Sequence, residues 1–172
     1  MLRWIVFSMF FWWSGSAFAQ KDLQVYIFVA EECPISIYMA KPLREATAAF
    51  ADKATFYAVF PSILSTTETA EEFLTTYDLE AFNIRLDTEQ ELTQQLGATI
   101  TPEAIITDAT GTVLYRGRIS DAFAAPGKMK HGPRTNVLLE ALQQAAAGQA
   151  VNEPWVDAVG CYITIRKTAS NG

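Results

Sequence analysis

The apolar run Leu23-Gln-Val-Tyr-Ile-Phe-Val-Ala30 and the way it ends constrain this chain most. Its length and composition predict a buried strand. It breaks at Glu31-Glu32-Cys33-Pro34-Ile35-Ser36 and passes into a helix-compatible stretch from Ile35 to Phe50. Pro34 suits the first turn of such a helix, where its missing N–H costs nothing. Cys33 therefore stands where a strand hands over to a helix. There the free N–H groups of the first turn and the macrodipole both favour thiolate over thiol. Glu31 and Glu32 oppose this by like-charge repulsion, so a moderately acidic thiol is expected. The alternative is a buried, inert cysteine.

The rest of the chain repeats the alternation. Thr55–Phe60 is a second apolar, aromatic run, and the Thr69/Glu72 spacing predicts a capped helix to about Tyr77. Ile84–Asp87 predicts a short strand and Glu89–Leu96 a short helix stopped by Gly97. Two apolar runs, Thr99–Thr107 and Thr112–Gly117, flank the turn Asp108-Ala-Thr-Gly111 as a β-hairpin. Pro133 and Arg134 open a last amphipathic helix that Gly148 ends. Pro42 should kink the first helix near Tyr38–Lys41. The predicted class is α/β, a central mixed β-sheet flanked by helices, with a C-terminal extension carrying Cys161.

Residues 1–19 have the pattern of a secretory signal peptide: Arg3, an apolar segment from Trp4 to Trp13, and Ala17-Phe18-Ala19 for cleavage. An uncleaved anchor is the alternative, although the apolar segment is short for a span. Residues 20–150 are then one domain and residues 151–172 the extension. Roughly 150 residues suffice for a real core. An exported chain of this kind is expected in the periplasm of a double-membraned bacterium. The net charge of −6, without basic runs, argues against nucleic-acid and anionic-membrane partners. No stable membrane insertion is expected after cleavage. In an oxidising compartment, two cysteines suggest a structural disulfide or a redox pair. A Cys33–Cys161 bridge would contribute roughly 4–5 kcal/mol on the loop-entropy model.

The reactive cysteine at the first strand-to-helix junction, Pro42, and Thr101-Pro102 before a hairpin together resemble the thioredoxin-like fold. Cys33-Pro34-Ile35-Ser36 resembles its C-x-x-C motif with the second cysteine replaced by serine. Tyr115-Arg-Gly-Arg-Ile-Ser-Asp121 is similar to a segment of the peroxiredoxin-like redoxins (AhpC/TSA), some of which carry a Gly-Cys step like Gly160-Cys161 near the C-terminus. The resemblance implies an exported thiol-disulfide oxidoreductase with no cofactor. Its partners would be a protein thiol or disulfide, or a small-molecule peroxide.

Within that frame Cys33 is the candidate nucleophile, and Ser36 can donate a hydrogen bond to its sulfur but cannot resolve a mixed disulfide. Resolution falls to Cys161, or Cys33 works as a monothiol. Thr101-Pro102 resembles the threonine–cis-proline step that faces the active-site cysteine, and would present backbone groups to an extended substrate if the bond is cis. Arg116 and Arg118 are candidates for stabilising a thiolate or peroxide oxyanion, or else belong to a solvated strand face. A peroxidase is disfavoured, because Ala30 stands where peroxiredoxins place Thr or Ser. Two other functions stay open: a binding module stapled by a Cys33–Cys161 disulfide, and Cu(I) delivery through Cys33, Cys161, Met129 and His131. The C-x-x-x-C of copper-delivery relatives is absent, so no metal ligand is assigned.

Overall fold

The computed structural model describes residues 23–166. The signal segment assigned to residues 1–19 and the chain end at 167–172 lie outside the described residues. The first strand, β1 (Leu23–Phe28), leads into helices α1 (Pro34–Tyr38) and α2 (Ala40–Phe50). Next come β2 (Ala54–Phe60), α3 (Thr67–Thr76), β3 (Asn83–Leu86) and α4 (Glu91–Leu96). The stub β4 (Ile100–Thr101) precedes the hairpin of β5 (Glu103–Asp108) and β6 (Val113–Gly117). A small hairpin, β7 (Phe123–Ala125) and β8 (Lys128–Met129), leads to α5 (Val137–Ala146). The extension adds β9 (Trp155–Val156) and β10 (Cys161–Tyr162).

Six strands form the central sheet in the order β3-β2-β1-β5-β6-β9. The first three are mutually parallel, while β5 runs antiparallel to both β1 and β6. A βαβαβ half continued by a hairpin and a helix is the thioredoxin-like arrangement, so the predicted fold class holds. Strand alternation divides the core in two. Leu23, Val25 and Ile27 of β1 point into the larger cluster with Met39, Leu43, Phe73, Leu138 and Leu142 from the helices. Phe28 turns to the other face with Val59, Ala98 and Ile105, covered by Leu92 and Leu96 of α4 and by Ile163 of the tail. Leu138 and Leu142 are fully buried, so truncating either to alanine should cost about 2–5 kcal/mol.

Local chemistry shifts several boundaries from their sequence expectation. Helices α1 and α2 part at Met39, because Pro42 has no N–H to offer the preceding turn. The cap of α3 is Thr66, not Thr69: the two threonines form a reciprocal capping box, and Thr69 is already helical. Helix α5 begins after Asn136, whose Oδ1 accepts from the Leu139 N–H at 3.1 Å. The same amide donates to the Pro42 carbonyl at 2.9 Å and ties α5 to α2. None of the helices described is long and apolar enough to cross a membrane.

Candidate active site

Cys33 is the N-cap of α1, with extended backbone (φ −80°, ψ 111°), and only 3% of it is exposed. Burial by itself pushes its thiol pKa up. Hydrogen bonds to the sulfur from the Cys161 thiol, the backbone N–H groups of Ser36 and Ile35, and the Ser36 hydroxyl outweigh that, and the net direction is down. The repulsion expected from Glu31 and Glu32 does not set the direction. The Glu31 carboxylate instead accepts from the Thr69 hydroxyl at 3.0 Å. Ser36 is fully buried and also accepts from the Ala30 N–H at 3.4 Å. Pro34 occupies the first helical position and is exposed.

The C-terminal extension folds back over this junction and brings Cys161 Sγ to 2.7 Å from Cys33 Sγ. Both cysteines are free thiols, Cys33 buried and Cys161 exposed. Their acidities diverge. Burial and the neighbouring Cys33 sulfur raise the Cys161 thiol to about 11. Closing a disulfide, with a bond length of about 2.05 Å, would need a sulfur movement of under ~1 Å.

The tail reaches this position along two backbone seams. Val156 of β9 lies parallel to Gly117 of β6, and β10 runs antiparallel to β4, pairing Cys161 with Thr101. Each seam needs a glycine. A Cβ on Gly117, which also has φ +149°, would sit 1.9 Å from the Val156 carbonyl oxygen. A Cβ on Gly160 would sit 2.0 Å from that of Thr101. Gly160 is therefore a close-approach residue.

The Thr101–Pro102 bond is cis, as the resemblance implies. Thr101 meets both cysteines: its carbonyl accepts from the Cys33 thiol at 3.4 Å, and its hydroxyl donates to the Cys161 carbonyl at 3.4 Å. The neighbouring Glu103, buried, accepts from the Thr99 N–H at 3.0 Å and pairs with Arg116 Nε at 2.8 Å. Arg116 also donates to the Gly97 carbonyl and lies over the Trp155 ring. Arg118 donates to the Asp157 carbonyl at 2.8 Å. Both arginines thus hold the cis-proline loop and the tail, and neither is among the groups that shift the Cys33 thiol. Met129 lies on β8 and His131 in the exposed loop after it. Among the described residues, no cluster of three or more His, Cys, Asp or Glu side chains gathers as for a metal ion.

Around the sulfurs lies a cleft of about 500 Å³, lined by Cys33, Thr101, Cys161, Gln90, Leu64 and Tyr162, among others. A larger cavity of about 900 Å³ lies against Leu23, Asp108 and Gln149, and no cysteine lines it. The smaller cleft is therefore the candidate site. Gln90, which lines this cleft, and Glu103, beside the cis-proline, are residues that the sequence did not single out. Gln90 acts through backbone partners distant in sequence and Glu103 through the Arg116 side chain and the Thr99 N–H, and no local motif marks either.

No family model matches the chain, and no curated protein matches it. Among solved structures, it is similar to an uncharacterized conserved protein from Geobacillus kaustophilus. That similarity has 21% identity, covers 88% of this chain and 82% of that one, and gives a TM-score of 0.73. A hypothetical protein from Sinorhizobium meliloti overlays with 20% identity, 88% and 84% coverage, and a TM-score of 0.75. A secreted Mycobacterium tuberculosis disulfide oxidoreductase shares 21% identity over 55% of this chain and 68% of its own, at a TM-score of 0.47. The likeness to the first two spans nearly the whole described chain and is a likeness of fold.

Proposed function

We propose that the chain is a two-cysteine thiol-disulfide oxidoreductase, with Cys33 as nucleophile and Cys161 as its resolving partner. The observation that carries this is the approach of the two sulfurs to 2.7 Å across the Thr101 seam. In the proposed cycle, the Cys33 thiolate attacks one sulfur of a partner's disulfide. That bond breaks, the partner's first thiolate leaves and takes a proton, and a mixed disulfide remains on Cys33. Cys161 loses its proton and attacks Cys33 Sγ, and the partner's second sulfur leaves. The pair gives up two electrons to the partner and ends as Cys33–Cys161 disulfide. Regeneration is then favoured at Cys161, whose sulfur is the exposed one and whose displaced partner, Cys33, is the better leaving group.

Ser36 and the Thr101–Pro102 backbone support the nucleophile in this scheme, while Arg116 and Arg118 support the loop and tail. Export to a periplasm, with residues 20–150 as the catalytic domain and 151–172 as the resolving extension, rests on the Arg3, apolar-segment and Ala17-Phe18-Ala19 pattern. A second reading, a purely structural staple, has the two backbone seams of the tail in its favour.

Mass-tagged thiol counting of the mature protein across a graded dithiothreitol buffer separates the two. A bridge that titrates in the range of known oxidoreductases, about −120 to −270 mV, supports the catalyst. One that resists reduction to below about −300 mV makes it a staple. Two free thiols under oxidising conditions would refute both.

A further inference from the structure

The tail that carries Cys161 buries little of itself. From Asp157 to Arg166 every residue is exposed or half-buried, so apolar burial alone holds it weakly. Its far end meets a polar group of a different kind. Gln90 is 2% exposed and sits in the left-handed region at φ 60°, a conformation that a glutamine adopts only where its surroundings hold it. Its side-chain amide stands in for a strand backbone. Nε2 donates to the Thr164 carbonyl at 2.9 Å, and Oε1 accepts from the Arg166 N–H at 2.8 Å. The second Nε2 hydrogen goes to the Pro61 carbonyl at 3.0 Å, in a loop that also lines the cysteine cleft. Next to it, both Glu89 carboxylate oxygens accept from the Arg166 guanidinium at 2.8 Å.

We propose that Gln90 is a positioning residue for the Cys33–Cys161 pair: it latches the tail so that Cys161 stays over Cys33 when the two are reduced. This rests on reading the two cysteines as a redox pair. The tail can oxidise Cys33 only from its docked state, so the equilibrium constant for forming the disulfide scales with the docked fraction. Two of the three amide hydrogen bonds of Gln90 go to the tail, and each is worth a modest net amount in water. Against so little buried surface their loss shifts the docked fraction substantially.

The test is the oxidation constant of the full-length protein in dithiothreitol buffers, compared with Gln90→Ala and Arg166→Pro. The second variant lies far from the core and removes the N–H that Gln90 accepts together with the guanidinium that pairs with Glu89, so Arg166→Ala, which loses only the guanidinium, is measured beside it. Gln90→Ala should lower the constant on the order of tenfold, which is about 30 mV for this two-electron couple, and Arg166→Pro severalfold. The melting temperature of the reduced protein should stay within a few degrees of wild type in both. A folded Gln90→Ala protein whose constant stays within twofold of wild type would overturn the latch. If Gln90→Ala does not fold, an unchanged constant in Arg166→Pro does the same. Absence of any Cys33–Cys161 bridge in the wild type would instead refute the redox pair itself.

Discussion

Replacing Gly160 by alanine should drive the tail off β4 while leaving the domain folded. The added Cβ would lie 2.0 Å from the Thr101 carbonyl oxygen, 2.6 Å from its carbon and 2.9 Å from Ile100 Cγ2. A methyl needs roughly 3.2–3.5 Å to such atoms, so one backbone must retreat by about 1.2–1.5 Å. Thr101 is poorly placed to move: it is 3% exposed, adjoins Pro102, and its carbonyl accepts from the Cys33 thiol. The tail moves instead, and the sulfurs part from 2.7 Å by a comparable distance. Two thiols held in bonding geometry have a large effective molarity toward each other, and a displaced tail forfeits part of it. The constant for oxidising the pair should therefore fall about 10- to 100-fold, equal to ~30–60 mV for two electrons. Thiol counting in dithiothreitol buffers reads this directly, with the melt of the reduced protein as the control for folding. A Gly160→Ala protein that melts like wild type and oxidises within twofold of it would show that close approach at Gly160 does not position Cys161.

Three further outcomes are expected. The Cys33 pKa is lowered in the folded protein, so alkylation of Cys33 by iodoacetamide should persist below the ordinary thiol range, while Cys161 stays slow until pH nears 11. A depressed folded pKa stabilises the reduced fold above the unfolded thiol value, and that contribution is lost as pH falls through the folded one. Cys161→Ala removes a lowering hydrogen bond and should move the Cys33 profile to higher pH; a shift downward would contradict the assignment. Glu103→Ala leaves the mostly buried Arg116 unpaired and the Thr99 N–H without its acceptor. It should cost roughly 3 kcal/mol in urea unfolding of the reduced protein, and a loss below about 1 kcal/mol would argue against the ion pair as a support of the cis-proline loop.

What local sequence can encode was legible without coordinates. The alternating apolar runs at Leu23–Ala30 and Thr55–Phe60 and the hairpin around Gly111 define the sheet, because strand character is set by burial over a few consecutive residues. The break at Met39 follows from Pro42, and the cap position of Cys33 from the strand-to-helix junction. Helix starts were less legible, since Thr66 and Thr69, or Pro133 and Asn136, compete for the cap, and packing chooses between them. The fold-back of the tail was decided by tertiary structure alone. Strands β9 and β10 are two residues each, too short to announce themselves, and they exist because β6 and β4 offer free edges. The same holds for Gln90, Glu103 and the two arginines, whose partners are backbone atoms or side chains distant in sequence. A single chain of residues can mark Cys33 as the candidate nucleophile. Only the folded sheet, which carries a segment 128 residues away back across Thr101, can set Cys161 against it.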